Sequence, residues 1–173
     1  MSYMVEKSTR KKIRLGIISG VLVALLLLSL YLVGRFYFPL EISEFSSRLA
    51  LWRSGVRSLS ISQVHTYTRD YCSGLKASSA ESCTCMVLIH GVGDDAKTWK
   101  RILLEPRDSW LKPVRLYAVD LPGSGKTPPP ANSEGYRVRK LAETLRSALS
   151  EVKECQRWMV VGNSLGGWVG TWL

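Results

Sequence analysis

Histidine is the scarcest chemistry-bearing residue in this chain: there are two copies in 173 residues, His65 and His90, and none after position 90. Any mechanism that takes an imidazole from beyond position 90 of these residues is therefore excluded. The four cysteines, Cys72, Cys83, Cys85 and Cys155, form no C-x-x-C pair and have no histidine at zinc-ligand spacing, which argues against a metal centre. Neither a metal nor a cofactor is expected. Gly 14 and Pro 7 are ordinary counts, so the chain is neither collagen-like nor of low complexity, and six Trp with seven Tyr imply a packed core. Acidic residues are few, 14 against 24 basic, for a net charge of +10. That excess would suit nucleic acid if it were concentrated. Residues 1–14, however, hold five basic residues against Glu6, a share of +4, which leaves +6 over the other 159 residues with no recognition motif. No nucleic-acid partner is expected.

What the sequence does have begins with LGIISGVLVALLLLSLYLV, residues 15–33, which is 19 residues without a charge. As a helix this run reaches about 28 Å, close to the thickness of bilayer hydrocarbon. A cleaved signal peptide shares the plan of a basic start and an apolar run. Here the run is longer than a typical signal core, and Gly34-Arg35-Phe36-Tyr37-Phe38-Pro39 offers no small-x-small cleavage site, so the sequence predicts an uncleaved single-pass anchor. Five basic residues precede the span, against Arg35, Arg48 and Arg53 after it, so residues 1–14 read as a cytoplasmic tail and the body of the chain lies on the periplasmic or extracellular side. The lipid bilayer is the first expected partner.

Residues 34–57 read as a juxtamembrane amphipathic segment. Phe36, Tyr37 and Phe38 suit a headgroup region, and Ile42, Phe45, Leu49, Trp52 and Val56 recur at spacings of 3, 4, 3 and 4. Two readings stand: a helix packed on its own domain, or a helix lying on anionic lipid. From 59 to 72 a Ser-, Thr-, Val- and Tyr-rich stretch predicts one or two strands, and 72–85 reads as a polar loop. In an oxidising compartment a disulfide across that loop would join Cys72 to Cys83 or Cys85; the sequence does not fix the pairing.

Three short apolar runs follow: MVLI at 86–89, VRLYAV at 114–119 and WMVV at 158–161. Each ends at a Gly-containing or polar turn, as strands buried on both faces of a parallel sheet do. A weakly helical segment at 95–105 separates the first two. A helix with the stripe Val138, Leu141, Leu145, Leu149 and Val152 separates the second and third. The order predicts a βαβαβ array whose strand C-terminal ends share one edge, where such sheets place their sites.

Each of those ends carries a motif. Gly162-Asn163-Ser164-Leu165-Gly166 is a G-x-S-x-G between a strand and a potential helix, the setting in which a serine becomes an exposed nucleophile on a tight turn. His90-Gly91-Val92-Gly93 follows the first strand and can aim a backbone N–H at Ser164. The N–H of Leu165 is the second donor of an oxyanion hole, and His90 is expected to hydrogen-bond neighbouring backbone rather than act as a base. Asp120-Leu-Pro-Gly123-Ser-Gly125-Lys-Thr127 follows the middle strand and resembles the end of a phosphate-binding loop. Asp120 occupies the position where that loop needs its first glycine, and Pro128, Pro129 and Pro130 stop the helix it needs, so Asp120 reads as the residue that ties the turn down.

HGVGDDAKTW at 90–99, DLPGSGKT at 120–127 and VGNSLGGW at 161–168, in that order, resemble the N-terminal half of the α/β-hydrolase superfamily, closest to its serine esterases and lipases. The resemblance covers 59–173 and implies an α/β-hydrolase fold with a mostly parallel doubly wound sheet. It also implies Ser164 as nucleophile, Val92 and Leu165 as oxyanion-hole donors, and His90, Gly91, Gly93, Asp120, Gly123, Gly125, Gly162 and Gly166 as residues that shape the motifs. Thr127 stands where the family often has Ser. The implied reaction is acyl hydrolysis of a small-molecule or lipid ester. The catalytic acid and histidine that the family carries after its nucleophile are absent from this chain, whose last nine residues are Leu-Gly-Gly-Trp-Val-Gly-Thr-Trp-Leu. Residues 58–173 are therefore expected to be a partial hydrolase domain, truncated after the elbow and inactive. The alternative is a membrane-anchored interaction protein derived from a hydrolase, without catalysis.

Overall fold

A computed structural model describes residues 2–72, 83–155 and 157–173, with side chains from residue 17 onward. The loop expected over 72–85 falls, from 73 to 82, outside the described residues. The chain divides into two compact units, Met1–Arg48 and Leu49–Leu173.

In the first unit one helix, α1 (Ser2–Tyr37), runs through the basic tail and the apolar run without a break. Over Ile17–Tyr37 it is long and apolar enough to cross a membrane, and none of that window is buried. Pro39 has no N–H to donate and opens the next helix, α2 (Pro39–Arg53), as proline at a first helical position does. The stripe predicted on α2 does not form its packed side. Phe45 and Trp52 are 65% and 74% exposed, and the buried residue of the helix is Leu51, which lies off the stripe. Val56, the last member of the stripe, is buried beyond the helix end.

The second unit is a five-stranded mixed sheet in the order β1-β2-β4-β3-β5. Its strands are β1 (Arg57–Ile61), β2 (Val64–Asp70), β3 (Thr84–Ile89), β4 (Val114–Val119) and β5 (Trp158–Gly162). The Ser- and Thr-rich stretch gives two strands joined by Ser62 and Gln63, both at positive φ, the two-residue turn whose twist matches a hairpin. This hairpin joins β4 antiparallel, whereas β3 pairs in parallel with β4 on one side and with β5 on the other.

Helices cover both faces. The segment predicted over 95–105 forms a 3-10 turn, Ala96–Trp99, leading into α3 (Lys100–Leu104). Leu103 packs there with Leu88, Leu116 and Ala118. On the opposite face α4 (Val138–Ser150) sets Leu141, Leu145 and Leu149 against Val87, Ile89 and Val119, and Val169 of α5 (Leu165–Gly170) joins that cluster. Strands β3 and β4 are almost wholly enclosed, as expected. Strand β5 departs from expectation: Met159 is 49% and Val160 39% exposed, because among the described residues β5 lies at the sheet edge and pairs only with β3.

Two disulfides are formed, Cys72–Cys83 and Cys85–Cys155. The first is one of the two pairings open at the start of the loop. The second ties the beginning of β3 to the turn before β5 across 70 residues of sequence. Closing a loop of that size restrains the unfolded chain by about 4 kcal/mol, against about 3 kcal/mol for the 11-residue loop. The pair of substitutions Cys85→Ser and Cys155→Ser should therefore lower the free energy of urea unfolding by about that larger amount. A loss below about 1 kcal/mol would mean the staple is not closed in solution.

Candidate active site

The chain reverses direction across β3: the connection leaving β3 leads to α3 on one face, and the one leaving β5 leads to α5 on the other. Diverging connections open a crevice above two adjacent parallel strands, and this is where doubly wound sheets bind ligands. Ser164 lies there, exposed, between β5 and α5. Its backbone sits at φ 51 and ψ −117, a conformation that costs a non-glycine residue free energy and persists because the neighbouring bonds dictate it. Asn163 N–H donates to Ile89 O at 3.0 Å, fixing the end of β5 to the end of β3. Gly166 N–H then donates to Asn163 O at 2.8 Å and Gly167 N–H to Ser164 O at 2.9 Å, which starts the helix. Leu165 is the first residue of α5, where helix geometry offers its N–H no acceptor within the helix.

The loop after β3 passes against this turn. A β-carbon placed on Gly91 would lie 3.3 Å from Ser164 Cβ and 3.4 Å from Asn163 O, so the backbone of 90–92 runs beside the serine. Val92 is 77% exposed, and Gly93 holds positive φ. His90 is buried with both ring nitrogens engaged by backbone: Nδ1 lies 2.7 Å from Gly91 O, and Nε2 accepts from Leu121 N–H at 3.0 Å. It joins the β3 loop to the β4 loop and has no nitrogen left for Ser164.

The β4 loop is organised by Asp120, buried at the strand end. Oδ1 accepts from Ala96 N–H at 2.7 Å, and Oδ2 accepts from Lys126 N–H at 2.9 Å and from His65 Nδ1 at 2.7 Å. Burial pushes this carboxyl up, but the hydrogen bonds from His65, Ala96 and Lys126 outweigh it and hold the group below the ordinary 3.8. Gly125, at φ +54, brings its α-carbon so close that a β-carbon would sit 2.2 Å from Asp120 Oδ2. Gly123 also holds positive φ, packed against Tyr136. Thr127 completes the turn: its hydroxyl accepts from His65 N–H and donates to Asp120 O, both at 2.8 Å.

Two members of this network, His65 and Ser58, are not marked by any sequence motif. Ser58 Oγ lies 2.7 Å from His65 Nε2. They meet Asp120 because β2 runs antiparallel to both β1 and β4 in one register, with Thr66 opposite Val119 and Ser60 opposite His65. Among the described residues no group of three or more His, Cys, Asp or Glu side chains could hold a metal ion.

The sequence profile of the alpha/beta hydrolase family matches residues 86–172. The chain is 37% identical over 86 residues to a pimeloyl-acyl-carrier-protein methyl ester esterase of Cronobacter sakazakii, a match covering 50% of this chain and 29% of the esterase. It is 32% identical over 112 residues to an uncharacterized protein of Mycobacterium tuberculosis, covering 65% of this chain and 29% of that protein. The chain thus spans about three-tenths of the length of the curated relatives it matches. Among solved structures, a membrane phospholipase A described as a bacterial virulence factor superposes with a TM-score of 0.50 at 25% identity, over 87% of this chain and 46% of that one. An epoxide hydrolase of Vigna radiata superposes with a TM-score of 0.52 at 18% identity, over 68% and 33%, a likeness of fold.

Proposed function

Because the chain belongs to the alpha/beta hydrolase family, we propose that it is the nucleophile-bearing part of a membrane-anchored serine hydrolase that cleaves carboxylic esters, with lipid esters as the favoured substrate class. Ser164 is the nucleophile: its Oγ attacks the ester carbonyl, and the charge that develops on the carbonyl oxygen collects at the N–H groups of Val92 and Leu165. The alcohol leaves with a proton, and water then releases the acyl group from Ser164. The observation that carries this reading is the φ of 51 at Ser164 on a strand-to-helix turn with the Gly91 segment alongside. Serine at that place favours ester chemistry, and the pimeloyl ester esterase supports it.

The acid and the histidine that would activate Ser164 are not among the residues of this chain after position 164. His90 is spent on backbone and His65 on Asp120 and Ser58. Neither of these two histidines is therefore free to activate Ser164. The membrane part of the proposal rests on the apolar helix over Ile17–Tyr37 and on the likeness to a membrane phospholipase A. That likeness covers more of the chain than the Leu49–Leu173 unit alone holds. We place the N-terminus in the cytoplasm and the hydrolase portion outside it, where the two disulfides are stable.

The test is a hybrid in which residues 86–172 replace the matching segment of the Cronobacter esterase. A folded hybrid should hydrolyse a short-chain p-nitrophenyl ester, and Ser164→Ala should lower its kcat by at least about 1,000-fold. A folded hybrid whose turnover survives Ser164→Ala would refute the assignment.

A further inference from the structure

The geometry points to a second nucleophile. Ser58, His65 and Asp120 stand in the order hydroxyl, imidazole, carboxylate, with Oγ to Nε2 at 2.7 Å and Nδ1 to Oδ2 at 2.7 Å. We propose that this array makes Ser58 an acceptor of acyl or phosphoryl groups from small activated donors, independently of Ser164.

The proton positions follow from the partners. Asp120 already accepts two backbone N–H groups, and as a carboxylate it can only accept from His65 as well. Nδ1 therefore carries the ring proton, and Nε2 presents its lone pair to the Ser58 hydroxyl. This is the arrangement that activates a serine: a base in contact with the hydroxyl, and a buried acid that orients the base and stabilises its charged form. His65 and Asp120 are 5% and 2% exposed, and the Tyr67 ring packs edge-on against the imidazole at 4.9 Å, so the base is held in one orientation. Of the three residues Ser58 alone is exposed.

A purely structural role accounts for the inner part of the network. The Thr127 hydroxyl and the Asp120 carboxylate tie the β2 strand to the β4 loop, and of His65 those bonds need only Nδ1 and the main-chain N–H. The outer bond, from Nε2 to an exposed hydroxyl on the edge strand β1, adds no tie between buried elements. It does leave a base in contact with a serine that solutes can reach.

In the proposed step with a fluorophosphonate, Ser58 Oγ bonds to phosphorus, the P–F bond breaks and fluoride leaves. The hydroxyl proton passes to His65 Nε2 and from there to water. With an activated ester such as p-nitrophenyl acetate, Oγ bonds to the acyl carbon, and p-nitrophenol departs with the proton taken from Nε2. No enclosing pocket is required for donors this small, and the product is one modified Ser58 per chain.

Ser60 supplies an internal control. It lies on the same strand and the same face, directly opposite His65 in the ladder, but it is not the serine bonded to Nε2. The full-length chain carrying Ser164→Ala is treated in detergent with a fluorophosphonate, and adduct formation is followed peptide by peptide. Ser58 should react at least about 100-fold faster than Ser60, the lower end of what a positioned general base supplies. In urea that unfolds the chain the ratio should fall towards one. His65→Gln, if folded by circular dichroism, should remove the difference; if it does not fold, the native and unfolded ratios decide alone. Equal rates at Ser58 and Ser60 in the native chain overturn the proposal, as does a Ser58 rate unchanged in folded His65→Gln.

Discussion

Gly166→Ala is expected to remove the folded hydrolase unit, with a loss of about 4 kcal/mol or more of stability, whereas Gly167→Ala, one residue later in the same helix, should cost nothing and gain up to about 1 kcal/mol. The contrast comes from what each β-carbon would meet. At Gly166 it would lie 2.1 Å from Ile89 O and 2.7 Å from His90 O, and at Gly162 it would lie 2.3 Å from the backbone of Gly166. These are main-chain atoms of β3 and α5 that are fixed by the sheet and the helix, so neither can swing aside as the end of a side chain would. At Gly167 the nearest contact is 3.7 Å, ordinary van der Waals distance, and alanine is the better helix former. Urea unfolding followed by tryptophan fluorescence separates the two. A Gly166→Ala protein within about 1 kcal/mol of the parent would show that α5 does not lie this close to β3.

That pair of glycines also marks what was legible in the sequence. A G-x-S-x-G between an apolar run and a potential helix specified the turn, because only glycine fits where a helix is laid on a strand end. The runs at 86–89, 114–119 and 158–161 likewise gave the sheet, as short apolar runs closed by turns, and the stripe from Val138 to Leu149 gave its covering helix; Val152, its last member, lies beyond the helix end and packs with Cys85 and Tyr117. Long-range choices were not legible. The exposure of β5 depends on its place at the sheet edge, and the pairing of Cys85 with Cys155 depends on two strand ends 70 residues apart. The α2 stripe fails for a related reason: Leu51, one residue outside the pattern, is the side chain that reaches the core. His65 is the instructive omission. It is one of two histidines, but its meeting with Asp120 is set by the register of β2 on β4, which no motif encodes.

Asp120→Ala should be the most damaging substitution outside the glycines, at about 3–5 kcal/mol. Three donors lose their acceptor at once: Ala96 N–H, Lys126 N–H and His65 Nδ1–H. Asn is not a remedy, because the two oxygens accept on both sides and an amide must turn its NH₂ towards one of the backbone N–H groups. The same carboxyl gives a pH signature. Its folded-state value is held below the unfolded 3.8, so the native state favours the ionised form and the resulting stability is present above that pH. It is lost as the pH falls below 3.8 through the lower folded-state value. Unfolding free energies taken stepwise from pH 6 down to pH 2 should therefore fall more steeply for the parent than for a folded Asp120→Asn chain. Parallel curves would mean that Asp120 contributes no pH-linked stability.

The Cys85–Cys155 bridge has a mechanical meaning as well. Tension applied to the two ends of the chain passes along β1 and β2 to the start of β3 and crosses from there to the turn before β5 through the S–S bond. The 70-residue stretch it encloses, which includes β4, α4 and the Asp120 loop, cannot be drawn out while the bridge is closed. At about 3.6 Å per residue, some 250 Å of contour stays hidden until the bridge is reduced. Pulling can thus strip Ser164 and α5 from the edge while the stretch enclosed by the bridge stays short.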